Sequence, residues 1–253
     1  MDQITILLLC GMSFLAGFID SIAGGGGLIL LPSLLVAGLP APFALGTNKF
    51  ASLCGTATAL LNFVRNGKVI WKIAACGLPF SLAGSVLGTR AILCFDQNTI
   101  AKIILFLLPF SAIVTFMPRK QLKTSSADFS KMNMYFHIPL FCLIIGFYDG
   151  FYGPGTGTFL ICGFYAFLGL HLINASAIAK VFNLASNVGS FITFALDGRV
   201  LYELGLPLAA ANILGGYLGS VLAIKRGQAL IKVLLLVVFG ILFVTLAWRI
   251  WTR

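Results

Sequence analysis

Ten apolar stretches fill the chain from about residue 4 to residue 250, and only one connection between them, at about 118–133, is long and basic. They lie at about 4–23, 26–39, 43–64, 70–92 and 99–117, then at about 134–151, 156–170, 173–196, 202–224 and 229–250. Crossing a hydrocarbon layer takes about 20 apolar residues in a helix, the length of most of these stretches. Only 9% of the 253 residues are charged and mean hydropathy is +1.03, where a soluble domain carries roughly 25% charged residues. The solvent is therefore lipid. Every backbone amide must then be satisfied inside the protein, and the stretches lack the period-two alternation of barrel strands. The expected fold is all-α: a polytopic helical membrane protein forming a single transmembrane domain over 1–253.

The formal net charge of +10 does not point to nucleic acid, because its cations sit in short loops between apolar runs. They cluster at Arg65, Lys68 and Lys72, at Arg119, Lys120, Lys123 and Lys131, and at Lys225, Arg226 and Lys232. Such clusters are an orientation signal. The six cysteines are scattered, and only His137 and His171, near segment ends, could join them, so neither a metal site nor a disulfide framework is expected. No cofactor and no catalytic constellation is expected either, which argues against an enzyme. The first apolar run follows Asp2 instead of a cation and is read as part of the mature chain.

The second five stretches repeat the first. Gly17-Phe18-Ile19-Asp20 is echoed by Gly146-Phe147-Tyr148-Asp149, each ahead of a glycine-rich break at Gly24–Gly27 or Gly153–Gly157. Lys49 and Lys180 stand 131 residues apart, as do Asn66-Gly67-Lys68 and Asp197-Gly198-Arg199, and Gly84-Ser85-Val86-Leu87 reads as recurring at Gly219-Ser220-Val221-Leu222. The expected organisation is repeat 1 at about 4–117, a cytoplasmic linker at about 118–133 and repeat 2 at about 134–250. An odd number of crossings in each half inverts one repeat relative to the other. It places the basic loops on one face and both termini on the outer one. The second stretch of each half is short for a span, so the first two form either a re-entrant or broken-helix hairpin or two tilted spans.

Ionisable residues inside such helices are costly and mark candidate sites. Lys49, Ser52 and Thr56 share one helical face, as do Lys180, Asn183, Asn187 and Ser190, and the two sets are equivalent across the repeat. A small anion fits that chemistry, with Asn48 beside Lys49 and with Asn62 and Asn174 extending the path. Gly24, Gly25, Gly26, Gly155, Thr156 and Gly157 belong to breaks whose half-helix N-termini can face an anion, although glycines also permit close packing. Gly84 with Gly88 and Gly215 with Gly219 read as packing positions. Asp20 and Asp149 stand open to several roles: ion pairs with the lysines, proton or sodium coupling, or N-caps of the short helices.

The run Ala16–Gly27, the segment Leu45-Gly46-Thr47-Asn48-Lys49, and Gly153-Pro154-Gly155-Thr156-Gly157 with Lys180 resemble the TauE/SafE sulfite-exporter family of bacterial membrane proteins. The Gly-Pro-Gly-Thr-Gly form resembles one branch of it, and Gly163 stands where a second proline would match Pro32. The resemblance covers essentially the whole chain. It implies transport of sulfite, sulfoacetate or another organosulfonate across the cytoplasmic membrane. With the cell interior negative, expelling a monoanion gains about 2.3 kcal/mol per 100 mV, so export is expected over uptake. The alternatives are a cation or proton-coupled transporter using Asp20 and Asp149, and a non-transporting membrane scaffold.

Overall fold

The computed structural model describes residues 1–116 and 132–226, and among them every regular element is helical. These are α1 (Gln3–Ala23), α2 (Gly27–Val36), α3 (Ala41–Arg65), α4 (Trp71–Leu93), α5 (Gln97–Phe116), α6 (Ile138–Phe151), α7 (Thr156–Leu168), α8 (Leu172–Leu196) and α9 (Tyr202–Arg226). A π-helical turn at Asn133–His137 leads into α6. The expected segment at 229–250 and nearly all of the 118–133 connection lie outside the described residues. Helices α1, α4 and α9 are each long and apolar enough to cross a membrane. At 25 residues each, α3 and α8 are as long as α9 or longer than the other two, but they bury Lys49, Asn48 and Thr56, or Lys180, Asn183 and Asn187, in their middles.

The short stretches become short helices. At 10 and 13 residues, α2 and α7 reach about 15 and 20 Å, well under the ~30 Å hydrocarbon thickness. Glycine sets where they begin. Gly24 (φ +82°), Gly153 (φ +99°) and Gly155 (φ +87°) hold left-handed conformations that only glycine adopts without strain. At the first break the chain doubles back, so that a Cβ on Gly26 would lie 2.4 Å from the Ala16 carbonyl oxygen. Helices α1 and α2 therefore form a hairpin.

Contacts along the long helices settle their directions. Gly46 meets Phe194, Phe50 stacks on Phe191 at 5.3 Å and Lys49 reaches Asn187, so α3 and α8 are antiparallel. Helix α9 runs parallel to α3, with Gly205 beside Phe50, Asn212 beside Gly55, and Ser220 accepting a 2.7 Å hydrogen bond from Asn62. Helix α4 runs parallel to α8: the Asn174 amide donates to the Lys68 carbonyl and the Ser81 hydroxyl to that of Phe182. Equivalent helices thus point in opposite directions, as an inverted repeat requires. Because α3 and α9 are parallel, the basic residues Arg65, Lys68 and Lys72 share a face with Lys225.

The halves are held by exchange. Helix α4 of the first packs on α6 of the second, and α9 of the second packs on α1 of the first. A Cβ added at Gly84 or Gly88 would lie 2.2 Å from the Leu143 carbonyl oxygen or 2.0 Å from that of Phe147. At Gly215 or Gly219 it would lie 2.0 Å from Phe14 O or 2.3 Å from Phe18 O. These matched contacts correct the sequence alignment. Gly219 corresponds to Gly88, not to Gly84, and no length change separates the repeats there. Similar four-residue runs misled because small residues recur at every fourth position along such a stripe.

Replacing Gly88 or Gly219 by Val should destabilise the detergent-solubilised protein by at least about 1–3 kcal/mol, because the clash is with backbone. Gly11 has no atom within 4 Å of an added Cβ, and Gly11→Ala should shift the melting transition by no more than about 0.5 kcal/mol.

Candidate substrate site

An ammonium group taken out of water is tolerated only when it is paired and hydrogen-bonded. Lys49 and Lys180 are fully buried near the middles of α3 and α8, and each finds its carboxylate in the opposite half. Lys49 Nζ lies 2.8 Å from Asp149 Oδ2 and donates to Asn187 Oδ1 at 3.3 Å. Asp149 Oδ2 also accepts the Ser186 hydroxyl at 2.6 Å. Lys180 Nζ pairs with the Asp20 carboxylate and donates to the Asp20 carbonyl at 2.6 Å. The two pairs meet at one place, since Asp20, Lys49 and Asp149 line the same cavity.

Asp20 and Asp149 lie in the last turns of α1 and α6, and this overturns their expected alternative role as N-caps. The N-cap positions of α2 and α7 are Gly26 and Gly155, neither with a side-chain cap. A carboxylate one turn before a break points across the bundle to the other repeat instead of forward to the next helix.

Between the pairs lies a polar cavity of about 20 Å³, room for roughly one water. Of the residues singled out in the sequence, Asp20, Gly24, Asn48, Lys49, Ser52, Asp149, Gly155, Thr156, Gly157, Asn183 and Asn187 line it. Lys180, Thr56, Gly25 and Gly26 do not. Lys180 stands behind Asp20, which is the wall. Gly27 and Gly153 also line the cavity, although sequence reasoning picked out their neighbours in the same glycine clusters. A Cβ on Gly153 would lie 3.1 Å from the Lys49 ammonium, so glycine is what lets this break approach the charge. Of the residues thought to extend the path, Asn62 bonds to Ser220 and Asn174 to Lys68 O; both fasten helices together away from the cavity.

The two breaks cross at this point. A Cβ on Gly24 would fall 2.3 Å from the Gly157 carbonyl carbon, while the Thr158 amide donates to Gly24 O at 3.2 Å and its hydroxyl to Ala23 O at 2.8 Å. Asn48 Oδ1 and Ser190 Oγ are buried without a hydrogen-bond partner, and Asn48 borders the cavity. A buried unpaired acceptor is costly, and at a cavity wall it suits a ligand-borne donor or a water. A larger void of about 430 Å³ lies between α6 and α7, lined by Phe141, Phe164, Leu168 and other apolar groups with His137 at its edge. It offers an anion no built polar site. No group of three or more His, Cys, Asp or Glu side chains stands together to hold a metal ion among the described residues.

The profile of the family described as "Sulfite exporter TauE/SafE" matches residues 9–246, a span that takes in both lysines, both aspartates and both breaks. The chain belongs to the TauE/SafE family. A "Probable membrane transporter protein" of Haemophilus influenzae is 40% identical over 91% of the chain and 89% of its own length. "Probable membrane transporter protein ORF9" of a Sinorhizobium species is 38% identical over 89% and 86%. "Probable membrane transporter protein YfcA" of Escherichia coli is 33% identical over 93% and 88%. No solved structure matches. As a TauE/SafE protein the chain is a membrane transporter and not an enzyme.

Removing one member of a fully buried pair leaves the other charge stranded. In this TauE/SafE protein Lys49→Ala alone should cost about 3–5 kcal/mol of stability. Lys49→Met combined with Asp149→Leu should cost less than either change alone, a strong non-additivity read in a double-mutant cycle on those two substitutions by thermal unfolding in detergent.

Proposed function

We propose that this TauE/SafE protein carries a small anion, a sulfur oxyanion or an organosulfonate, outward across the cytoplasmic membrane by alternating access. The observation that carries this reading is the polar cavity where two oppositely directed halves meet, with Lys49 on its wall and Lys180 held just behind by Asp20. Inverted halves whose discontinuous helices cross at a central site suit rocking of one half against the other. The cavity holds only about one water, so an oxyanion enters when the halves part. Its oxygens then take over ammonium donors from an aspartate, while Asn48, Ser52, Asn183 and Asn187 orient it. The family's description as a sulfite exporter supports the substrate class.

The basic ends of α3 and α9 are assigned to the cytoplasm and both termini to the outside. The connection 118–133 then joins two repeats, about 4–117 and 134–250, on the cytoplasmic side. A second reading, cation or proton coupling through Asp20 and Asp149, is favoured by the site holding as many carboxylates as ammonium groups.

Counterflow into liposomes, screened with sulfite, thiosulfate, sulfoacetate and simple cations, tests both readings. Anion uptake by the intact protein should fall at least tenfold in Lys49→Ala and in Lys180→Ala. Normal anion transport by both variants, together with loss of metal-ion flux in Asp20→Asn, would reject the anion assignment.

A further inference from the structure

The two ion pairs are equivalent by repeat but not by support, and the difference is written in the residue that follows each lysine by six positions. After Lys180 that residue is Ser186, whose hydroxyl donates to Asp149 at 2.6 Å. After Lys49 it is Gly55, which has no side chain to offer Asp20 and instead admits α9, since a Cβ there would strike Asn212 Oδ1 at 1.9 Å. Asp149 is thus bound by two side chains and its own side chain is 3% exposed. Asp20 is bound among the described residues by Lys180 alone and is 19% exposed toward the cavity it lines. Lys49 has an additional bond to Asn187, itself tied to Asn183. When Asp20 swings away, Lys180 still donates to the Asp20 carbonyl at the C-terminal end of α1, where the helix dipole favours a cation.

We propose that Asp20 is a built-in stand-in for the transported anion: it occupies Lys180 in the empty carrier, the substrate displaces it, and Lys49–Asp149 stays paired as the fixed joint. The inference rests on the anion reading of the same site. Its physical content is charge. The empty centre, with two ammonium groups and two carboxylates, is neutral and can reorient without carrying charge across the membrane. The loaded centre carries the charge of the anion, so net transport moves charge while the return step does not. Without the Asp20 carboxylate, the empty centre keeps one uncompensated positive charge in a low-dielectric interior, and its return is blocked. The loaded form, neutral with a monoanion and carrying a single negative charge with a dianion such as sulfoacetate, still cycles. Loss of Asp20 should therefore spare exchange relative to net efflux.

The test uses the full chain in liposomes with sulfite and sulfoacetate as probes, measuring anion/anion exchange and net efflux side by side. In Asp20→Asn, which keeps a hydrogen-bond acceptor near Lys180, the ratio of exchange to net efflux should rise at least tenfold over the unsubstituted protein. In Ser186→Ala, which loosens Asp149 without changing the charge of the centre, the two fluxes should change together. Net efflux by the unsubstituted protein should also accelerate as a potassium diffusion potential makes the lumen more negative. Three results overturn the proposal: exchange and net efflux falling in parallel in Asp20→Asn, the split appearing in Ser186→Ala instead, or net efflux that follows a pH gradient and ignores the potential, which means Asp20 leaves Lys180 by taking a proton. Absence of exchange with either probe in the unsubstituted protein is a different failure. It removes the anion reading for those substrates, and this inference with it, before any variant is compared.

Discussion

A lysine inside a membrane bundle must bring its counter-charge with it, and in this chain the counter-charge always comes from the other half. Lys49 reaches Asp149 and Lys180 reaches Asp20, so neither half can bury its cation alone. The arrangement converts an expense of several kcal/mol per ion into a constraint on geometry, because the halves must meet where both pairs can close. It also puts two buried ion pairs beside the small polar cavity at the two breaks.

Backbone proximity makes that placement possible. Apolar side chains give helices little reason to choose one partner over another when lipid is equally apolar, so close packing and interhelical hydrogen bonds decide. Glycine stripes on α4 and α9 let their partners approach to backbone contact, and Ser81 and Asn212 lock the crossings by hydrogen bonds to Phe182 O and Ser13 O. At the centre the same device acts differently. Gly24 and Gly157 bring two chain breaks into contact beside the small polar cavity. A transporter built this way has its mobile seam and its site in the same place.

Much of this could be read in the sequence. The break at Gly24–Gly27 followed from a glycine run beside a segment too short to span, with a hairpin and two tilted spans both left open, and the polar stripes of α3 and α8 followed from three- and four-residue spacing around a lysine. The misreadings share a cause. Gly84 was matched to Gly219 on local similarity, whereas the contacts with Leu143 and Phe14 equate it with Gly215. Asp20 and Asp149 could be taken as caps of the nearest helix in sequence, and Asn62 and Asn174 as extensions of the path, because adjacency along the chain says nothing of which helix stands across the bundle.

The sequence by itself determined an all-helical membrane protein with a repeated half, two short helices behind glycine breaks and one intramembrane lysine per repeat. Hydropathy, periodicity and glycine content are properties of a local stretch, and a bilayer leaves a local stretch few choices. Tertiary structure alone decided that the lysines cross to the opposite halves, that Asp149 gains Ser186 while Gly55, six residues after Lys49, packs against Asn212, and that the space between the pairs admits about one water. Those outcomes depend on which helix faces which, and on distances of a few tenths of an ångström set by packing across the whole bundle.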